Sequence, residues 1–382
     1  MAAWDKIGCG QCPPVVEKNE NLSLQGGLIL LHWRLSVILK QVAIPEDVGA
    51  SGRTTCRASY RFLQQAFRYA GYPLHIGGVL FLASRHLSNS DEHALWTALL
   101  TVGSLPLLVL AEYAIMFNRA WRCRAKEIAV VLLHTFVSTE VVNLAVRPFL
   151  AFCFFTLGKS LAQSLGTDSL WDALNFDQLP FAAQCGLALL VMELGWYWGH
   201  RLTHEFPALW PMHALHHSAE RLTFFEAGRN HPFDTVKTLL VTTPVAFLGA
   251  PEAVFFINYL LIAIHNMWAH ANADITLGYF RYVLNSPELH RHHHSQNIDE
   301  SNKNFGSVLS VFDHISWDRI PVFGNFLKFK GPTYYFDPNP EKQHVLGLKG
   351  ETLTDFRLGV LRNYGSQLAY PLRLWRAMIK QN

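Results

Sequence analysis

The sequence predicts an all-α fold: a multi-pass membrane helical bundle of about four transmembrane spans or hairpins, capped by a cytosolic, helical, histidine-rich metal domain. Three observations lead there. Half of the 382 residues are hydrophobic and only 16% are charged, an unusual balance for a soluble enzyme. Four apolar stretches are long enough to cross, or to enter as a hairpin, a hydrocarbon layer about 30 Å thick. Eight histidines fall in three tight boxes, His200/His204, His213/His216/His217 and His290/His293/His294, each at helical spacing.

Residues 1–93 form the first expected region. Its first 25 residues are polar, so no cleavable signal peptide is evident. Gly26 to Ile44 is apolar but broken by His32, Arg34 and Lys40, which suits an interfacial helix better than a span. The second expected region, 94–330, is the membrane-embedded domain. Its apolar runs are Ala94 to Phe117, Ile128 to Val146, Pro180 to Gly199, and a bent pair, Val236 to Leu248 and Ala253 to His270. Gly249-Ala-Pro-Glu252 separates the arms of the pair as a turn. Glu112, His134, Glu140 and Glu193 lie inside these runs, and such groups are expected to face the bundle interior or a substrate tunnel. Residues 331–382 complete the chain as a cytosolic tail.

Charge orients the spans. Arg119, Arg122, Arg124 and Lys126 crowd the loop after the first span, which the positive-inside rule places in the cytoplasm. The third span then delivers His200 at its inner end, and the hairpin starts and finishes on the same side. All three boxes therefore meet on the cytoplasmic face, at the endoplasmic reticulum in a eukaryote or the inner membrane in a bacterium.

The box spacing carries the chemical argument. Helical positions i, i+3 and i+4 share one face, about 5–6 Å apart, and can converge on one ion. HxxHH occurs twice, which suggests two half-sites, and eight ligands exceed the roughly four that a tetrahedral zinc accepts. His292 should face away from the metals, about 200° around the helix from His290. His265 and His270 end an apolar run about 140° apart on a regular helix, so both ligate only if the helix is distorted or ends between them. His270 is the preferred ligand and His265 stays open. His231 reads as a hydrogen-bond partner of a ligand or as a loop residue.

Other chemistries are excluded more simply. His204-Glu-Phe-Pro-Ala208 begins like HExxH but has Ala208 where the second histidine is required. The one Glu-x-x-His, Glu341 to His344, lies in the polar tail rather than on a bundle helix. Cys9 and Cys12 form a single CxxC without a partner pair. A net charge of +3 without a basic, aromatic-interleaved surface argues against nucleic acid.

From Glu193 to Phe326 the chain resembles the membrane fatty acid hydroxylase/sterol desaturase superfamily. The residues that carry the resemblance are Trp198-Gly-His-Arg-Leu-Thr-His204, Leu209 to Ser218, Arg229-Asn-His-Pro232, His270-Ala-Asn272, Asn285 to Ser295 and Lys303-Asn-Phe-Gly306. The resemblance implies two iron ions held almost wholly by histidine, with O2 as co-substrate, for hydroxylation or desaturation of a lipid. The lipid would be a sterol, a fatty acyl chain or another isoprenoid or alkyl lipid. Carried over by position, the ligands are His200, His204, His213, His216, His217, His290, His293 and His294, with a further one from the helix ending at His270. The segment Phe312 to Phe326 departs from the usual Trp-Asp-x-x-Phe-Gly-Thr ending, which leaves the substrate open.

Asp313, Glu226, Asn230 and Asn304 are the candidates for orienting the ligand rings. No dinucleotide fingerprint opens a helix, so a separate reductase, cytochrome b5 or ferredoxin is implied as electron donor. Zinc is the possible substituting metal, since all-histidine sites do not separate it from iron. A membrane dizinc hydrolase and a non-catalytic lipid- or metal-binding protein remain the alternatives.

Overall fold

The computed structural model describes residues 50–87, 92–122, 124–324, 326–343, 346–348 and 358–381. They are helical, with isolated bridges in place of strands. The expected interfacial helix, Gly26 to Ile44, lies outside the described residues.

The first described helix, α1 (Ala50–His86), has no counterpart among the expected spans. Its apolar second half packs against α2 (His93–Ala114) and α8 (Glu252–His270). Tyr72 Oη lies 2.5 Å from His265 Nδ1, and Trp268 Nε1 donates to His75 Nδ1 at 2.9 Å, tying the three helices through buried polar contacts. α2 and α8 are long and apolar enough to cross a membrane. Leu95, Leu99 and Val102 stand exposed along α2, as lipid-facing side chains would.

The second expected span is differently built. α3 (Ala125–Leu133) runs into a π-helical stretch, His134–Val141, and then into α4 (Val142–Ser164). The helix thus passes well beyond Val146, where the expected span ends. The reason is local: Phe149, Phe152, Phe155 and Leu157 give this stretch an exposed apolar face despite Arg147 and Lys159.

α5 (Phe181–Glu205) and the hairpin of α7 (Leu239–Leu248) and α8 follow the expected bounds closely. Gly249 turns the hairpin with φ +73°, a left-handed conformation that suits glycine. α7 is wedged between α4 and α5. Glycine permits that approach: a Cβ on Gly158 would lie 1.8 Å from the Phe247 carbonyl oxygen, and one on Gly195 would lie 1.8 Å from that of Leu240.

α2, α5 and α8 all finish at one end. Met116 bridges to Ala273, just past α8, and Phe117 N donates to Asn272 O at 3.1 Å. The basic loop 119–126 is therefore at the same end as His270. Two helices, α10 (Val360–Leu368) and α11 (Tyr370–Gln381), pack on α3 and on α6 (Trp210–His217) respectively.

Candidate metal centre

Four elements supply nine histidines at this end. α5 carries His200 and His204 on its last turns, α6 carries His213, His216 and His217, and α8 ends on His270. α9 (Pro287–His293) carries His290 and His293, with His294 as its C-cap. Ser286 caps α9 by accepting from Leu289 N, and Pro287 sits in its first turn, so the box begins where a helix can start.

The nine side chains gather into two buried groups. One is His200, His204, His213, His217 and His293; the other is His216, His270, His290 and His294. The boxes do not map one to each group, as the doubled motif suggested. In each HxxHH one i, i+4 pair serves one group and the remaining histidine crosses to the other. α6 gives His213 and His217 to the first group; α9 gives His290 and His294 to the second. Loss of either HxxHH box would damage both groups, whereas the His200/His204 box serves the first alone.

Ring orientation makes the case for a cation. His200 Nδ1 lies 2.9 Å from the Phe305 carbonyl and His293 Nδ1 lies 2.7 Å from that of Lys303. A carbonyl only accepts, so both Nδ1 atoms carry protons and both Nε2 atoms of the neutral rings present bare lone pairs. Those two Nε2 atoms face each other at 2.9 Å. Lone pairs held that close repel unless a positive charge lies between them. In the second group His270 Nδ1 donates to Asn266 O at 2.8 Å, and its Nε2 lies 3.0 Å from His290 Nε2 and 3.2 Å from His216 Nε2. Two ligands about 2.1 Å from one ion and at right angles would stand about 3.0 Å apart. Buried His204 Nε2 has no hydrogen-bond partner, while its Nδ1 faces Asn302 Oδ1 at 3.0 Å. The residues fit a metal pair.

Electrostatics agree. Burial first, and neighbouring imidazoles after it, hold His216, His217, His290, His293 and His294 well below the usual histidine range; for His213 the second cause is the Lys237 ammonium. Neutral imidazole is the form that ligates.

His265 and His231 stand outside both groups. His265 spends its ring nitrogens on Tyr72 Oη and the Asn285 carbonyl, the latter at 2.7 Å. His231 Nε2 donates to Leu368 O at 3.1 Å, and its Nδ1 accepts from Phe233 N at 3.2 Å. His292 points away, with Nε2 3.0 Å from Asp337 O. Asn304 touches no histidine ring; its side chain bonds to backbone at Leu289 and Tyr335 from a left-handed φ of 55°. Asp313 acts through backbone, accepting from Phe305 N at 2.8 Å and Gly306 N at 3.0 Å, so it fixes the loop whose carbonyl orients His200. Glu226 pairs with Arg229, and Asn230 caps the Ala227 carbonyl.

Sequence reasoning missed Asp234, Lys237 and Asn302, and it placed Glu193 in the interior without giving it a partner. Asp234 Oδ2 lies 3.1 Å from His213 Nδ1, and Lys237 Nζ lies 2.8 Å from that oxygen and 2.9 Å from the same ring nitrogen. The only available signal was position, Asp234 following the Asn230-His-Pro232 segment. Asp234→Asn removes the carboxylate that anchors His213, and weakens metal binding by the first group about 10–100-fold. Competition with a chelator, followed by metal analysis, reads this out; an unchanged affinity would mean that His213 is held without Asp234. The departing segment, 312–326, packs Trp317 and Phe323 against Trp198, at ring separations of 4.9 and 4.6 Å, on the flank of α5.

A profile described as fatty acid hydroxylase matches residues 185–316, which includes all nine histidines. An ornithine lipid hydroxylase of Rhizobium tropici is 33% identical over 59% of this chain and 68% of its own length. The chain belongs to the fatty acid hydroxylase family. Family members more distant in length include the alkylglycerol monooxygenases of Danio rerio, 33% identical, and Homo sapiens, 32% identical, each over 41% of this chain and 34% of the relative. The chain thus spans about a third of those proteins. No solved structure matches the chain.

Proposed function

We propose that this fatty acid hydroxylase family member is a multi-pass membrane, non-haem di-iron oxidoreductase that uses O2 to hydroxylate, or desaturate, a lipid. The observation that carries the reading is the pair of buried, nitrogen-only groups whose inward-facing ring nitrogens could hold metal ions. His200, His204, His213, His217 and His293 would hold one ion; His216, His270, His290 and His294 would hold the other. Five imidazoles exceed tetrahedral zinc, and imidazole suits iron.

When bound, the iron pair supplies the reduction of O2 to an oxidant able to attack an unactivated C–H bond. Hydroxylation balances as R–H plus O2, two electrons and two protons giving R–OH and water. The electrons come from a separate cytochrome b5, ferredoxin or reductase. The chain's own part is positional. Phe305 packs edge-on to His200, His204 and His293, and Trp210 packs on His204 and His217, walling the rings from water. Asp234, Asn302 and the carbonyls of Phe305, Lys303 and Asn266 hold protons on Nδ1 and aim Nε2 inward.

The basic loop 119–126 lies at the histidine end, which supports a cytoplasmic site. A relative that hydroxylates ornithine lipid and others that oxidise alkylglycerols favour an amphiphile with an acyl or alkyl chain, entering sideways from the bilayer. The test is turnover under 18O2 by the iron-loaded, reconstituted protein with an electron donor and a membrane lipid extract. One 18O per product molecule is expected, or loss of two hydrogens without label for desaturation. Product formed without O2 or reductant would replace this reading with the hydrolase, and lipid bound without turnover would replace it with a binding protein.

A further inference from the structure

α10 and α11 play no part in the chemistry above, yet they are fastened to the histidine end at several points. Gln367 Oε1 lies 3.0 Å from His134 Nε2, the Leu368 carbonyl accepts from His231 Nε2, and Trp375 Nε1 donates to Ala208 O at 2.9 Å. α11 lies along α6, the helix that carries three of the nine histidines.

Their outward faces are the unusual feature. Leu361 and Ile379 are each 75% exposed and Leu372 is 51% exposed. Leu372 and Ile379 are seven residues apart and so share one stripe of α11. Beside that stripe stand exposed Arg373, Arg376 and Lys380, and exposed Arg362 lies next to Leu361. Residues 358–381 contain no aspartate or glutamate. Large apolar side chains bordered by cations, on helices held at the end where the spans emerge, match a helix lying in the headgroup plane. Acyl chains would take the leucine and isoleucine, while the basic stems reach the lipid phosphates.

We propose that α10 and α11 form a docking surface for the anionic lipid headgroups of the leaflet that borders the histidine centre. Because α11 is packed on α6, this contact would fix the height of the metal site relative to the acyl chains. The inference rests on the membrane reading of the previous subsection. It commits to lipid rather than to an acidic protein because the exposed face pairs basic residues with aliphatic ones at two separate places, one on each helix.

Hydrogen exchange on the full chain in lipid nanodiscs tests it, comparing phosphatidylcholine discs with discs containing phosphatidylglycerol. Exchange over residues 360–381 should slow about twofold or more in the anionic discs and recover in high salt. Arg376→Gln/Lys380→Gln should abolish the slowing, with residues 287–294 unaffected, which excludes global unfolding as the cause. Exchange over 360–381 that ignores lipid charge while residues 93–114 stay protected would overturn this proposal alone. Protection that arises only on adding an acidic electron carrier would overturn it in favour of a protein partner. Free exchange over 93–114 in both discs would instead remove the membrane reading on which it rests.

Discussion

His293→Ala strips one metal ion from the protein and reduces turnover to background, although the rest of its own box is intact. The expectation follows from the crossing of the boxes. His293 sits on α9 but faces His200 Nε2 at 2.9 Å, in the group that draws its other members from α5 and α6. His290→Ala, three residues earlier on the same helix, should strip the other ion instead. His213→Ala should therefore resemble His293→Ala, and His216→Ala should resemble His290→Ala, across box boundaries. His292→Ala, whose ring is turned to Asp337, should leave both ions and most activity in place. Metal analysis of the purified variants checks the pattern. Loss that followed the boxes, with His213, His216 and His217 behaving alike and apart from the others, would contradict it.

Glu193→Ala should produce the largest loss of stability of any single change away from the histidines. Its Oε2 accepts from three backbone amides, Ser307 N at 3.2 Å and Val308 and Leu309 N at 2.9 Å each. Glu193 is fully buried. Removing the carboxylate leaves three buried N–H groups without an acceptor, at about 1–3 kcal/mol each. That sum is comparable with the whole stability of an ordinary domain, about 5–15 kcal/mol. The clamp also secures the Phe305 carbonyl, which lies two residues away and orients His200, so metal content should fall with melting temperature. Thermal melting of the detergent-solubilised protein measures it. A variant melting within a few degrees of the parent, with metal retained, would show that the 305–309 loop is held by Asp313 without Glu193.

The parts of this molecule that could be read from its sequence are those written in side-chain spacing. The i, i+3 and i+4 intervals of His213, His216 and His217 put three rings within reach of common ions, and Gly249 beside Pro251 marked the hairpin turn. Which ring joins which ion was not legible, because it depends on how α6 and α9 face each other rather than on either helix alone. The orienting groups were hidden for a different reason. Phe305, Lys303 and Asn266 act through carbonyl oxygens, which every residue possesses, so no side-chain pattern announces them. The sequence marks Asp313 as a group that orients a ligand ring, but its carboxylate bonds to the loop backbone at Phe305 and Gly306 instead.

Two further stretches were less legible. The expected span ends at Val146, whereas α4 continues to Ser164 with Phe149, Phe152 and Phe155 exposed along it. Residues 331–382 read as a cytosolic tail, and the hydrogen bonds that hold α10 and α11 to His231, His134 and Ala208 are not revealed by composition.

X-ray absorption on the purified, iron-loaded protein tests the central claim most directly. The account predicts two irons per chain, each surrounded by nitrogen at about 2.1 Å with more than four neighbours for at least one ion. A single four-coordinate ion per chain, or a coordination sphere dominated by oxygen or sulfur, would contradict it.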